Sequence, residues 1–519
     1  MKMTLSPAKM EVRVDLQTIG KDHTAETSDT EQSAHDHEDT LLQVFRNHTW
    51  AVLWCIYALW IMLLSGYDNQ TGGAVLSIPE FRKDFGSLYD GDYVLPAEWQ
   101  SAYNGAPTAS AVLGALGSSY IADLIGRKVA LLIALLFALV GITVEMIAVT
   151  NAVFFAGKFI NGFAVGGFTS IGMTYIGEVS PFRLRGILTS AAGFSIIVGQ
   201  LIVSIIINCT GDVSSRWAYR AVFLSQYGVW VIAVGFLPFM PESPWWLLAR
   251  GHRAKAEGAL IRLGYPAEEI EANMTRIQLT LDGVRHETEG ASFAECFRKT
   301  NLRRTIISVA PMAIQALCGI AFVVSYATYY IELAGYTTVD AYRIWIGIVG
   351  LAMFGNMCSW FLVDRVGRRS LSIYGLAILL VLLCLTGGLA VKRTPACIKG
   401  TIAFIALFAW AYNVTIGATA YVILVETATA RLRAKTASIA FVGQNIFSTI
   451  WAFALPYLFN PNEANLGAKT AFIFAGLSVF CLIYLYIYQP ETAGRSYNEL
   501  DDLFIERTPA REFKAYPPR

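Results

Sequence analysis

The sequence predicts an all-α membrane protein whose twelve transmembrane helices form two pseudo-symmetric six-helix bundles. Composition is the first observation: 55% of the 519 residues are hydrophobic and only 15% are charged. Soluble proteins carry about 45–50% apolar residues and about 25% charged residues. The second observation is a set of twelve long apolar runs, and the third is a repeat of charged motifs in the two halves. Together these exclude a disordered chain, an ordinary cytosolic enzyme and, at a net charge of +1, a basic nucleic-acid-binding protein.

Twelve apolar runs are long enough to cross a membrane, for which a helix needs about 20 residues. Numbered as spans 1 to 12, they are 49–78, 99–122, 128–149, 151–177, 187–208, 218–240, 305–332, 341–363, 370–391, 399–425, 434–459 and 468–488. We therefore expect a disordered cytoplasmic tail (1–48), an N-terminal bundle (49–240), a cytoplasmic linker with short helices (241–304), a C-terminal bundle (305–488) and a second cytoplasmic tail (489–519).

Lysine and arginine are concentrated in the turns on one side of the spans and in residues 241–304. Because cytoplasmic loops carry the excess of these residues, we expect both termini in the cytoplasm. Asn208 begins the sequence Asn-Cys-Thr on the outer side, which makes it a candidate glycan acceptor. The histidines lie outside the spans and the cysteines show no metal-ligand spacing, so we expect no cofactor and no metal.

Three charged motifs of the first half recur in the same order, at nearly one offset, in the second half. The pairs are Asp123–Lys128 with Asp364–Arg369, Glu178 and Arg185 with Glu426 and Arg433, and Pro241–Ser243 with Pro490–Thr492. Two six-span halves with matching cytoplasmic corners are typical of transporters built from parallel repeats.

At these residues the chain resembles the sugar-porter family of the major facilitator superfamily, from about Ala51 to Phe504. The resemblance rests on DLIGRK (123–128), DRVGRR (364–369), GEVSPFRLRG (177–186), PESPWWL (241–247), ETATARLRAK (426–435) and PETAGRSYNELDDLF (490–504). GKFINGF (157–163), RWAYR (216–220), YNVTIG (412–417) and LPYLFNP (455–461) look more like the fungal α-glucoside (maltose-type) permeases. The resemblance implies the major facilitator fold, a central solute site and alternating access, and many fungal members are proton symporters.

The chain departs from the family pattern at several solute-site positions. The usual Gln-Gln pair of span 7 is Gln315-Ala316, and the asparagine that follows it is Ala321. The glutamine of span 5 aligns with Gly193, and Tyr421 takes the usual tryptophan position of span 10. A hexose-type site is therefore only partly preserved.

Two charged residues lie well inside spans, where a charge costs at least about 2.5–3.5 kcal/mol unless it is compensated. Asp68 is in span 1 and Lys158 in span 4, and the resemblance implies that an aspartate and an arginine take these places in proton-coupled relatives. We expect Asp68 to carry a coupling proton with Lys158 as its partner. The alternatives are a static ion pair or an Asp68 near the outer water interface. Glu145, near the end of span 3, is expected to be solvated.

A sugar presents many hydroxyl groups and few charges, so its site needs amides and aromatic faces. The candidates contributed by the two bundles are Gln200, Gln315, Tyr326, Tyr421 and Asn445. The alternative for each amide is a hydrogen bond that joins neighbouring helices.

The repeated charges on the cytoplasmic side are candidates for a gate that is closed when the site faces outward. They are Asp123, Arg127, Glu178 and Arg185 in the first half and Asp364, Arg368, Glu426 and Arg433 in the second. The alternative is that these charges only set the orientation of the chain in the membrane.

The sequence as a whole favours a secondary active transporter that imports an α-glucoside or related sugar with a proton across the plasma membrane. Nucleotide-binding and catalytic motifs do not occur in it, so the expected partners are the sugar, the proton and the lipid bilayer, with no nucleic acid, and the expected state is a monomer. One alternative is a transporter of a polyol, a quinate-like acid or a secondary metabolite. The other is a sugar-sensing receptor, which the short segment after span 12 disfavours.

Overall fold

The computed structural model describes residues 41–513 apart from 90, 182–183, 289–291, 334, 393, 430–431, 461, 494, 496–498, 501–502, 505 and 507. Within this part of the chain, twelve helical segments are long and apolar enough to cross a membrane, which confirms the predicted number. Spans 1 to 12 are Thr49–Ser77, Ala97–Ile125, Arg127–Ile147, Asn151–Val179, Ile187–Thr210, Trp217–Phe239, Asn301–Glu332, Thr338–Val363, Arg368–Leu389, Pro395–Thr427, Lys435–Phe459 and Gly467–Tyr488. Residues 1–40 of the tail predicted over 1–48 lie outside the described residues.

Shorter elements precede the first span or connect the spans. They are the helices Leu41–Asn47, Pro79–Phe85, Pro244–Ala249, Arg253–Arg262, Ala267–Thr288 and Phe293–Cys296, and the antiparallel strands Ser87–Tyr89 and Asp92–Val94. The four helices between spans 6 and 7 occupy the predicted linker, where Leu247, Leu260 and Met274 form part of a small core. We call the end of the bundles that carries these helices the linker side and the opposite end the far side.

Small residues bring the spans of the first bundle into close contact. A Cβ atom on Gly66 of span 1 would lie 1.9 Å from the carbonyl oxygen of Ile196 in span 5. A Cβ atom on Gly114 of span 2 would lie 2.0 Å from the carbonyl oxygen of Phe163 in span 4. Such contacts replace the hydrophobic effect as the source of helix association in lipid.

Spans 7 and 10 are each built from two helices rather than one. Span 7 consists of Lys299–Leu317 and Ile320–Leu333, joined through Gly319 at a φ of 100°. Span 10 consists of Pro395–Val414 and Ile416–Thr427, joined at Thr415. A broken helix frees backbone carbonyls at membrane depth, and this is tolerated where protein groups or a cavity satisfy them.

The two bundles are joined by polar contacts on the far side. Gln100 Nε2 of span 2 donates to Asn460 Oδ1, just after span 11, at 2.9 Å, and both side chains are buried. Tyr342 of span 8 donates to the carbonyl of Ala74 in span 1 at 2.6 Å. Ser101 of span 2 donates to the carbonyl of Phe453 in span 11 at 2.9 Å. The bundles are therefore closed against each other at the far side.

Candidate functional site

A buried ion pair joins spans 1 and 4 in the far-side half of the first bundle. Lys158 Nζ lies 2.8 Å from Asp68 Oδ1, and the two residues are 0% and 3% exposed. Asp68 is therefore not at a water interface in this state, which removes one of the alternatives for it. Asn161, one helical turn after Lys158, donates to the same Asp68 oxygen at 2.7 Å.

Glu145 completes this cluster, and its predicted solvation is wrong. The residue is 1% exposed, its Oε2 lies 3.2 Å from Lys158 Nζ, and its Oε1 accepts from Asn161 Nδ2 at 3.3 Å. The position near a helix end suggested water, but the far-side end of span 3 is covered by span 4. We call Asp68, Glu145, Lys158 and Asn161 the charged cluster.

Two glycines explain how a carboxylate of span 3 reaches a lysine of span 4. A Cβ atom on Gly157 would lie 2.7 Å from Cγ of Glu145, and one on Gly141 would lie 2.8 Å from Cβ of Asn161. Each glycine therefore makes room for a side chain of the charged cluster. Their positions four residues before Glu145 and one before Lys158 were a signal that sequence reasoning did not use.

The predicted solute residue Gln315 joins three helical segments of the second bundle. Its Nε2 donates to the carbonyls of Ile416 and Gly417 at 3.1 Å each, at the break in span 10. Its Oε1 accepts from Gln444 Nε2 of span 11 at 2.7 Å. The structure thus gives Gln315, which is buried, the helix-joining bonds of the alternative interpretation, and it adds Gln444 as a residue that the sequence analysis missed.

The other predicted solute residues differ in how they are presented. Tyr421 is 47% exposed and its ring lies near that of Phe441, while the amide nitrogen of Asn445 donates to the carbonyl of Phe441 at 2.8 Å. Gln200 is half-buried in span 5. Tyr326 is fully buried.

Tyr326 belongs to the closed far side rather than to an open surface. Its ring centroid lies 5.2 Å from that of Phe459. Its hydroxyl faces Asn104 of span 2 without a hydrogen bond of good geometry. Gln70 Oε1, Asn356 Oδ1 and Trp410 Nε1 are among the further buried polar atoms that lack a partner in the described residues. Gln70 and Asn356 are amides within apolar spans. That feature could have identified them as candidate site residues from the sequence, but they were not predicted.

Charged pairs form within each bundle on the linker side. Arg127 binds Glu178 through Nε at 3.0 Å and Nη2 at 2.7 Å, and its Nη1 lies 3.3 Å from Asp123. In the second bundle Arg368 Nη2 lies 3.0 Å from Glu426. The side chains of the other predicted gate residues, Arg185, Asp364 and Arg433, lie outside the described residues.

The third repeated motif supplies a carboxylate to the start of spans 3 and 9. Glu242 accepts from the backbone N–H of Arg127 at 2.9 Å and of Lys128 at 3.2 Å. Glu491 accepts from the backbone N–H of Arg368 at 2.8 Å. Each carboxylate thus satisfies free N–H groups at the positive end of a helix dipole. The repeat is visible in the sequence, but this role was not predicted from it.

Asn208 lies in the last turn of span 5. Its Oδ1 is buried and without a hydrogen-bond partner in the described part of the chain. Glycosylation of this side chain stays a prediction.

A family model described as "Sugar (and other) transporter" matches residues 54–504. The chain belongs to this family. The General alpha-glucoside permease of Saccharomyces cerevisiae is 30% identical over 494 residues, covering 93% of this chain and 80% of the relative. Maltose permease MAL31 of the same organism is 28% identical over 487 residues, covering 92% and 79%. The resemblance to fungal α-glucoside permeases is therefore confirmed.

Among solved structures, the xylose transporter XylE from E. coli in a partially occluded inward open conformation superposes with a TM-score of 0.71. It is 19% identical and covers 86% of this chain and 100% of that one. This likeness confirms the major facilitator fold and, with the twelve spans, a multi-pass membrane protein.

Proposed function

We propose that this transporter imports an α-glucoside or a related sugar together with a proton across the plasma membrane. The observation that carries the proposal is the buried Asp68–Lys158 pair, at 2.8 Å in the membrane-embedded part of the first bundle. A carboxylate held there is costly unless it is paired or protonated, so it is suited to binding and releasing a proton. Transport relatives with maltose and α-glucosides in their names support the solute class.

The solute site in this proposal lies between the bundles and is uncharged. Tyr421, Gln444 and Asn445 are proposed to supply a phenol and two amides from spans 10 and 11, and Gln200 is the proposed contribution of the first bundle. Gln315 holds the break of span 10 in place behind them. Such groups match the hydroxyls and flat faces of a sugar and offer no counter-charge to an ion.

The proposed transport cycle has the linker side in the cytoplasm and both termini with it. The closed far side then makes this structure an inward-facing state, in agreement with the partially occluded inward open conformation of the similar XylE structure. In the opposite state, the arginine–glutamate pairs at Arg127 and Arg368 are proposed to hold the linker side shut. Their present bonds within each bundle provide the fixed charges for that contact.

The proposal is tested by uptake of radiolabelled maltose, glucose and a polyol in a host that lacks hexose transport, with external pH recorded. We expect maltose uptake accompanied by alkalinisation of the medium. Asp68→Asn should abolish accumulation, whereas Glu98→Gln, which removes an exposed carboxylate at the start of span 2, should leave it unchanged. Uptake that survives both Asp68→Asn and a protonophore would remove proton coupling from the proposal.

A second candidate is transport of a polyol or a quinate-like acid. It is favoured by the bonds that occupy Gln315, because this amide is then less free to bind a hexose. Polyol uptake without maltose uptake in the same assay would select it. Binding of sugar without any uptake would instead select a receptor.

A further inference from the structure

We propose that Glu145 is the second counter-ion of Lys158 and neutralises this lysine while Asp68 carries the coupling proton. The inference rests on the proposed proton-coupled transport and assigns a residue of span 3 to it. Glu145 is a positioning residue in this sense, because it acts on Asp68 through Lys158.

The geometry places one ammonium group between two carboxylates. Lys158 Nζ lies 2.8 Å from Asp68 Oδ1 and 3.2 Å from Glu145 Oε2. An ammonium group has three N–H donors that rotate about one bond, so both contacts can exist together and either can persist when the other weakens. Asn161 donates to both carboxylates from the next turn of span 4, at 2.7 and 3.3 Å.

Charge counting shows why the second carboxylate matters. With Asp68, Glu145 and Lys158 all ionised, the charged cluster has a net charge of −1, and it becomes neutral when one proton binds. Without Glu145, the ionised Asp68–Lys158 pair is already neutral, and protonation of Asp68 leaves an uncompensated buried ammonium. Such a charge is expensive, so Glu145 raises the affinity of Asp68 for the proton.

The surroundings add little charge of their own. Tyr67, the residue before Asp68, directs its hydroxyl to span 6, where it bonds Ser225 and the carbonyl of Val222 at 2.6 Å. Span 5 carries no charged residue, and those of spans 2, 6 and 7 lie near the span ends, namely Glu98, Asp123, Arg220, Arg303, Arg304 and Glu332. The charge at the cluster is therefore set by Asp68, Glu145 and Lys158 themselves.

In each cycle one proton from the outer side forms an O–H bond with the Asp68 carboxylate, and Lys158 keeps its own proton and its contact with Glu145. When the site faces inward, Asp68 releases that proton and regains the ion pair with Lys158. The cluster thus returns to its starting charge after one proton has crossed the membrane.

The test is the pH profile of sugar uptake in Glu145→Gln, beside wild type and Glu98→Gln. Loss of the charge should move the alkaline limb of the uptake profile, where Asp68 is no longer protonated from outside, by about one pH unit or more toward lower pH. Sugar exchange between preloaded and external pools, which needs no net proton movement, should keep its wild-type rate. The Glu98→Gln profile should overlay that of wild type.

A rescue variant separates charge from shape. Asn161→Asp in the Glu145→Gln background returns one carboxylate to the cluster from span 4, next to Asp68, and should move the profile back toward higher pH, to that of the wild type or beyond it. A wild-type profile in Glu145→Gln, or a failure of the double variant to move it back, overturns the inference. If Glu145→Gln does not reach the membrane, the double variant decides alone: a profile at or beyond that of the wild type supports the inference, and an acid-shifted one overturns it.

Failure of the proposed function has a different signature. In that case wild-type uptake itself occurs without alkalinisation and resists a protonophore. The role of Glu145 is judged only from the variants measured against a coupled wild type, so the two results are distinguishable.

Discussion

Gln315 joins three helical segments through a single amide. Its side chain donates to the backbone carbonyls of Ile416 and Gly417 in the first turn after the break in span 10, and it also accepts from Gln444. Removal of the amide breaks all three hydrogen bonds and takes the acceptor Oε1 away from the Gln444 amide nitrogen. An unsatisfied buried group costs about 1–3 kcal/mol, so this residue governs the rigidity of the second bundle.

We therefore expect Gln315→Leu, which nearly keeps the side-chain volume, to lower the thermal unfolding midpoint of the detergent-purified protein. The loss of stability should be on the order of 1–3 kcal/mol. Asn445→Ala is the matched control, because that amide bonds only within its own helix in the described part of the chain, and its midpoint should stay close to wild type. Equal midpoints for wild type and Gln315→Leu would show that the three bonds contribute no net stability.

At the scale of elements, the start of span 9 depends on Gly367 and Glu491. Gly367 has a φ of 92° and a ψ of 151°, a region that is essentially restricted to glycine and costs other residues about 1–3 kcal/mol. A Cβ atom there would also lie 2.5 Å from the Glu491 carboxylate. Gly126 and Glu242 repeat this arrangement at span 3. Gly126 has a φ of 101°, and a Cβ atom on it would lie 2.4 Å from the Glu242 carboxylate.

Gly367→Ala should therefore lower both the thermal midpoint and the amount of transporter in the membrane, because the new methyl group displaces the carboxylate that caps span 9. Gly228→Ala is the control: this glycine lies inside the span 6 helix, no atom outside the neighbouring part of that helix lies within 4 Å of the place its Cβ would take, and alanine favours helix. Thermal melts and membrane fractions measure both. A Gly367→Ala protein as stable as Gly228→Ala would contradict the capping role.

The elements also show what could be predicted from sequence and why. All twelve spans follow from hydropathy because lipid forces apolar, hydrogen-bonded helices, and the repeat located the linker-side charges near their partners within each bundle. The breaks at Gly319 and Thr415 were not predicted, since apolar runs continue through both. Glu145 was misplaced because its environment depends on span 4, and hydropathy along one helix contains no information about the neighbouring helix.

At the scale of the whole molecule, the far-side contacts join parts of the chain that must separate if the site is to open outward. Gln100 donates to Asn460 at 2.9 Å across the bundles. The next residue of span 2, Ser101, donates to the carbonyl of Phe453. Arg82, after span 1, lies 3.5 Å from Glu332 at the end of span 7. These bonds are local, so separation of the two bundles breaks them without unfolding a helix.

A covalent link across this contact should therefore stop net uptake. We expect cells with the double variant Gln100→Cys and Asn460→Cys to lose sugar uptake after treatment with a short, reversible methanethiosulfonate cross-linker, and to regain it after reduction. Each single variant, treated identically, controls for the eight native cysteines and should keep its uptake. A cross-linked protein that still transports at the wild-type rate would mean that sugar passes without separation of the bundles at the far side. Alternating access would then be the wrong description of this transporter, even with every helix in its present place.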